Sequence, residues 1–392
     1  PAGGAPLPAD APLRGSVVVP LRRAAVRSVA EARHAADAAF YLGAVRVGYP
    51  AQELQVVFDT ASGHVLLPHR ACVSAACLER QRFSPWESTT AVDINRTGSA
   101  VQEGRRFADG GGRRDAVTLG FAQSDLGHGN AESVMVRDSL CLGGVAPGGA
   151  CVDMGLLAAT RLDDQPFRGM PGDGIVGLGL PSLASGPFLN FLSRLLEGST
   201  GVLPQFGLAL GAERGELHLG GHQAARLAAP IRWFPVDHPE QGYWQVAIVA
   251  VRVGGVTVDA CPGGCHGVVD TGVSRLGVQA SRLPALSAAL LAAVAAPGGG
   301  CQGPELSFDL GGTTLSLQAS EYAGGDCVAQ LGSLELAEPQ FTGVYALGAA
   351  MLRRYYAAFD WERRRLGFAP LAPGAEDGGA DRPKESEDIV EF

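Results

Sequence analysis

Lysine is almost missing from this chain: Lys384 is the only one, and arginine supplies the rest of the basic charge. With 31 basic and 40 acidic side chains the formal net charge is −9, which argues against nucleic acid as the main partner. Together with the excess of alanine and glycine, the lack of lysine reads as compositional bias rather than function. No apolar run approaches the ~18 residues of a membrane-spanning helix, so no transmembrane segment is expected. The longest candidate, 283–296, is short and alanine-rich and reads as a buried or amphipathic helix. No CxxC pair occurs, and the eight histidines (His34, His64, His69, His128, His218, His222, His238 and His266) show no metal-ligand spacing, so no metal site is expected. The glycine runs at 110–112 and 298–300 lack the strand-to-helix context of a phosphate loop. Neither a nucleotide nor any other cofactor is therefore expected. No signal peptide is visible at Pro1, consistent with prior removal of a targeting segment.

At 392 residues, 46% hydrophobic and 18% charged, the chain can build two globular domains with substantial cores. The eight cysteines, Cys72, Cys77, Cys141, Cys151, Cys261, Cys265, Cys301 and Cys327, are even in number. Zinc would be one use for them, but without CxxC pairs or a histidine cluster four short-range disulfides are the better reading. That implies an oxidising compartment, either extracellular or another lumen of the secretory pathway. Asn95-Arg96-Thr97 is a glycosylation sequon compatible with secretion.

Short apolar stretches separated by glycine-rich turns dominate the pattern. Residues 41–48 and 53–58 read as a β-hairpin turning at Gly48-Tyr49-Pro50. Further strands are expected near 15–22, 116–121, 216–219 and 244–253, with helices only near 188–196, 282–295 and 351–355. The result is an all-β architecture with a few short helices. A loose internal duplication is also present. Phe58-Asp59-Thr60 and Val269-Asp270-Thr271 each end an apolar strand, and each is followed by an apolar-apolar-glycine element, Ile175-Val176-Gly177 and Ala346-Leu347-Gly348. Two similar lobes, each contributing one acid, is the simplest account.

Several ordered segments carry a specific resemblance over roughly residues 38–370. They are Phe58-Asp59-Thr60-Ala61-Ser62, Asp173-Gly174-Ile175-Val176-Gly177-Leu178, Tyr243-Trp244-Gln245, Val269-Asp270-Thr271-Gly272-Val273-Ser274 and Leu366-Gly367-Phe368-Ala369. In this order they resemble the pepsin family of aspartic proteases. The resemblance implies a bilobal fold: an N-terminal arm over 1–37, a lobe over 38–211 with Asp59, a second over 212–372 with Asp270, and an acidic, disordered tail over 373–392. It also implies that Asp59 and Asp270 hold the attacking water. Thr60, Thr271 and Gly272 would shape the two loops, with Ser62 and Ser274 in support. Cys72 and Cys77, Cys261 and Cys265, and Cys301 and Cys327 fall where that family forms disulfides. Asp138 and Asp360 would hold backbone rather than catalyse.

Five positions depart from the family pattern. Ala61 replaces a glycine, Val273 replaces a hydroxyl residue, and Phe121 is the best candidate for the flap position usually held by tyrosine. Leu66 stands where tryptophan is common, and Ala349 where aspartate is frequent. The arm segment 17–23 resembles the start of a prosegment and is expected to supply an edge strand to the interlobe sheet. The function expected is an endopeptidase acting on a peptide or protein substrate. The alternative is a pseudoprotease that serves as a binding or structural subunit of a larger assembly.

Overall fold

Apolar strands that end on glycine-rich turns set the architecture. The strands Ala39–Val47 and Gln52–Asp59 pair antiparallel, Leu42 facing Val57 and Val47 facing Gln52. Gly48 makes their turn at φ 74°, and a Cβ there would fall 2.7 Å from the Asp138 carboxylate, so both conformation and space require glycine. The computed structural model describes residues 16–26, 39–101, 115–123, 126–143, 150–197, 202–291, 294–295, 300–334 and 342–374. The first fifteen residues, the insertion at 105–114 and the tail beyond 374 lie outside the described residues.

The fold is all-β with short helices, as the pattern predicts. Among the described residues there is one 14-stranded sheet, with further sheets of five, four and two strands. The duplication is built as two copies of one arrangement. Gln52–Asp59 runs parallel to Gly174–Gly177, which is antiparallel to Val65–Pro68, which is parallel to Ala150–Leu162. Likewise Cys265–Val269 runs parallel to Val344–Leu347, which is antiparallel to Leu276–Gln279, which is parallel to Leu331–Leu334. Each apolar-apolar-glycine element thus lies beside the strand that delivers its acid.

The structure corrects three expectations. The helix expected over 282–295 ends at Leu290, and Val294–Ala295 instead pairs with Cys301–Gln302, a β-branched residue joining a ladder. The strand expected over 244–253 divides into Gln245–Ile248 and Ala250–Val253, which belong to different sheets. The arm strand Val17–Ala25 is not an edge strand. It pairs with Arg214–Leu219 along its first part and with Ala39–Val47 along its second, so it sits in the middle of the large sheet. Its alternation of buried Val17, Val19 and Leu21 with exposed neighbours reports faces, not edges. Pro20 faces Glu216, before the second ladder begins at Arg22, so its missing N–H costs no hydrogen bond there.

One continuous core ties the two halves together. At its centre Phe206 stacks on Phe359 with ring centroids 4.2 Å apart, and Trp244 packs edge-on to both. The Trp244 indole N–H donates to the Leu178 carbonyl at 2.8 Å, satisfying the one polar atom this large side chain buries. Four disulfides join Cys72 to Cys77, Cys141 to Cys151, Cys261 to Cys265 and Cys301 to Cys327, which fits an oxidising compartment. Among the described residues no helix is long and apolar enough to cross a membrane.

Candidate active site

Each acid stands at the end of a buried apolar strand, followed by a loop that folds back over the neighbouring glycine. Asp59 is in register with Gly177, and a Cβ on Gly177 would be built onto the Ser62 carbonyl oxygen. In the other half a Cβ on Gly348 would be built onto the carbonyl oxygens of Arg275 and Val273. The close approach allows main-chain bonds to pin both loops. The Leu178 N–H donates to the Asp59 carbonyl at 2.7 Å and the Gly179 N–H to the Ser62 carbonyl at 2.8 Å. The Ala349 N–H donates to the Val273 carbonyl at 2.9 Å.

Thr60 and Thr271 lock the two loops to each other. The Thr60 N–H donates to Thr271 Oγ1 at 3.0 Å, and the Thr271 N–H donates to Thr60 Oγ1 at 3.1 Å. Each hydroxyl then donates to the strand before the opposite acid: Thr60 to the Val269 carbonyl at 2.8 Å, Thr271 to the Phe58 carbonyl at 2.6 Å. Both threonines are buried, and every donor and acceptor in this reciprocal set is used. A fully satisfied network of this kind rigidifies the site.

The carboxylates sit in unequal surroundings. Asp59 Oδ1 accepts the Ala61 N–H at 2.8 Å, and Oδ2 accepts the Ser62 hydroxyl at 2.5 Å. Asp270 Oδ1 accepts the Gly272 N–H at 2.8 Å, and the Val273 N–H also favours its ionised form. Val273 stands three residues after its acid, as Ser62 does after Asp59, but its buried side chain has no hydroxyl to offer. Burial raises the pKa of both acids. The neighbouring Asp59 charge raises Asp270 further, whereas Ser62 and Ala61 oppose the shift at Asp59. The pair therefore titrates as a unit, with a side-chain hydroxyl favouring the ionised form at Asp59 and none doing so at Asp270.

Ala61 does not strain the site. Among the described residues the only non-glycine positions with positive φ are His238, Cys261, Cys327 and Arg364, so the alanine replaces glycine without a left-handed backbone. Ser274 is buried on the second loop.

A cleft of about 590 Å³ runs over the two acids. Its roof is the hairpin of Ala116–Gln123 and Gly127–Leu142, in which Phe121 faces Gly129. Phe121 lines the cleft and packs edge-on against Phe167, with centroids 5.1 Å apart. Leu119, two residues earlier on the same strand, lines it too. Neither side chain carries a hydroxyl, so the roof offers no side-chain donor at these two positions. Leu66 also lines the cleft, while Ala349 is buried at the start of a short helix.

Among the cleft residues to which the sequence reading gave no role are Tyr243 and His64. Tyr243 lines the cleft, and burial followed by the charges of Asp270 and Asp59 raises its hydroxyl pKa, keeping it a neutral donor. Its sequence signal is its place in the Tyr243-Trp244-Gln245 segment that carries the family resemblance. His64, five residues after Asp59, accepts the Ser185 N–H on Nε2 at 2.9 Å. Burial pushes its pKa down to about 4, so the neutral ring is its ordinary state. Asp138 and Asp360 are buried outside the cleft. Asp138 accepts the Thr90 hydroxyl and the Ser139 N–H, and Asp360 accepts the Arg363 N–H and the Arg365 guanidinium. Asn95 Oδ1 accepts the N–H groups of Thr97 and Ser99, closing the turn that carries the sequon.

Comparison with known proteins gives the same result as the geometry. The family profile described as eukaryotic aspartyl protease matches residues 40–125 and 122–371. Cathepsin E-A of Xenopus laevis is 29% identical over 350 residues, covering 85% of this chain and 80% of that protein. Pepsin-2B of Gadus morhua is 28% identical over 360 residues, covering 88% of this chain and all of that protein. Gastricsin of Cavia porcellus is 30% identical over 352 residues, covering 86% and 81% respectively. With two acids on matched loops beneath a roofed cleft, and matches that span both halves, the chain belongs to the eukaryotic aspartyl protease family.

Proposed function

We propose that this chain is an aspartic endopeptidase that hydrolyses peptide bonds in unfolded or extended protein segments, in a luminal or extracellular compartment. The observation that carries the reading is the unequal hydrogen bonding of an intact acid pair. The Ser62 hydroxyl and the Ala61 N–H favour the carboxylate of Asp59, while Asp270, raised by burial and by the Asp59 charge and served only by backbone donors, holds the proton. Hydrolysis without a covalent intermediate needs such a pairing of one base and one acid. Asp59 takes a proton from the attacking water as its oxygen bonds to the scissile carbonyl carbon. Asp270 gives its proton to the carbonyl oxygen, leaving a neutral gem-diol. On collapse the C–N bond breaks, the amine leaves with the proton held by Asp59, and Asp270 recovers one from a diol hydroxyl. The mainly apolar lining, including Leu66, Leu119, Phe121 and Val273, would receive apolar side chains on either side of the cut bond.

The test is cleavage of an unfolded protein between about pH 3 and 6, around the titration known for such dyads, with Asp59→Asn as control. Turnover that the substitution abolishes is the expected result. A second reading, a pseudoprotease that binds a partner through the cleft or its outer surface, draws support from Val273 and from the missing hydroxyl at Leu119 and Phe121. No turnover, with no binding of a statine-type mimic of the gem-diol, would favour that reading.

A further inference from the structure

Histidines far apart in sequence meet on the outer side of the second half. Asp237, His238 and His266 each place a ligand-capable atom within 4.8 Å of the other two. Asp237 lies just after the strand Arg232–Pro235, and its N–H donates to the Gln245 carbonyl at 2.9 Å. His266 lies on Cys265–Val269, the strand that leads to Asp270. Its side chain is about one-fifth exposed, and its Nδ1 stands 2.7 Å from Asp237 Oδ2. His238 Nε2 stands 3.8 Å from Asp237 Oδ1, the other oxygen of the same carboxylate. His238 Nδ1 is 3.2 Å from Glu240 Oε1.

We infer that Asp237, His238 and His266 form a binding site for a borderline transition-metal cation such as Zn²⁺. Three features carry this beyond an ion pair. First, the donor set is two imidazoles and one carboxylate, a combination that suits zinc and excludes the all-oxygen preference of calcium and magnesium. Second, the two rings meet edge-on with centroids 5.4 Å apart, and one nitrogen of each lies with an Asp237 oxygen inside a span of 4.8 Å, so the ligand atoms share one small volume. A tetrahedral zinc with bonds of about 2.0–2.1 Å sets its ligand atoms roughly 3.4 Å apart. The present separations of 2.7 and 3.8 Å bracket that value, so side-chain rotation alone closes the site. Third, Glu240 on Nδ1 of His238 supplies the outer carboxylate that orients a metal-binding imidazole and fixes which nitrogen is free.

The fourth position is open to water, because the His238 side chain is half exposed. The site is separate from the acid pair: His266 is four residues before Asp270 along an extended strand, roughly 13 Å away. Sequence spacing hides it, because His238 lies in the bend after Arg232–Pro235 and His266 on a strand 28 residues later, the two brought together through Gln245–Ile248, which pairs with Cys265–Val269.

The experiment titrates the full chain with ZnCl₂ at neutral pH, in buffer free of chelator, following heat by calorimetry and thermal unfolding in parallel. One equivalent should bind and raise the unfolding temperature. His266→Gln and His238→Ala should each weaken binding about tenfold or more with unchanged circular dichroism. Asp59→Asn should bind as the wild type does, which separates this site from the cleft. Co²⁺ in place of Zn²⁺ should give the visible bands of a four-coordinate nitrogen and oxygen site in the wild type and lose them in His266→Gln. Absence of binding by the wild type, or binding that survives the His238→Ala/His266→Gln pair, overturns the assignment.

Discussion

Val273 and His64 set how the site responds to pH, in opposite directions. Asp270 relies on backbone donors because Val273 has no hydroxyl. Val273→Thr supplies a donor to the ionised form, which lowers the Asp270 pKa. Loss of the shared proton limits activity on the alkaline side, so that limb of the pH–rate profile should move down by about one unit, the equivalent of one hydrogen bond. An unmoved limb would count against Asp270 as the proton holder. His64 titrates near 4 when folded, against an ordinary 6.5. Between those values the unfolded chain binds a proton that the folded chain does not, so stability falls as pH drops through that window. The loss is bounded at about 3 kcal/mol. His64→Gln keeps an acceptor for the Ser185 N–H and should flatten the decline in urea midpoint between pH 7 and 4. Thr271→Val leaves the Thr60 N–H and the Phe58 carbonyl without partners. It should cost about 2–4 kcal/mol in denaturant unfolding and combine non-additively with Thr60→Val, because one network is lost twice.

At the scale of elements, the loops depend on glycines that the neighbouring backbone nearly touches. A Cβ at Gly348 meets two carbonyl oxygens of the loop after Asp270, and main chain cannot turn aside as a flexible side chain can. Gly348→Ala should displace that loop and abolish cleavage while circular dichroism keeps its strand signal. Full activity would show that the loop can shift freely. These elements were readable in advance because apolar strands ending in Asp-Thr, with apolar-apolar-glycine partners, leave a local signature in each half. The number of hydrogen-bonded neighbours, by contrast, was not readable for the arm strand Val17–Ala25. Alternating burial tells which face of a strand is covered but nothing about its two hydrogen-bonding edges. Val294–Ala295 was misread as helix because an alanine-rich run carries helical propensity, and only the ladder with Cys301–Gln302 overrides it. Tyr243 and the Asp237, His238 and His266 group were unreadable for a third reason. Their meaning comes from neighbours that strand pairing supplies.

For the whole molecule, the large sheet is continuous only because the arm strand completes it. Val17–Arg22 pairs with Arg214–Leu219 and Arg22–Ala25 with the strand from Ala39, so this strand joins parts of the chain that otherwise meet elsewhere. Deleting residues 1–26 should expose the unpaired edges of both neighbours and the core beneath Val19 and Leu21. The expected outcome is a marked loss of thermal stability and a tendency to aggregate, measured by calorimetry and light scattering. An arm-free chain as stable and monodisperse as the intact one would show that the sheet closes without it. The same placement has a consequence during synthesis. Val17 precedes its ladder partner Leu219 by roughly 200 residues, which are translated in about ten to forty seconds at about 5–20 residues per second. Through that interval the first part of this apolar strand has no partner on that side, so a chaperone that guards it would matter more to the yield of this protein than to its final stability.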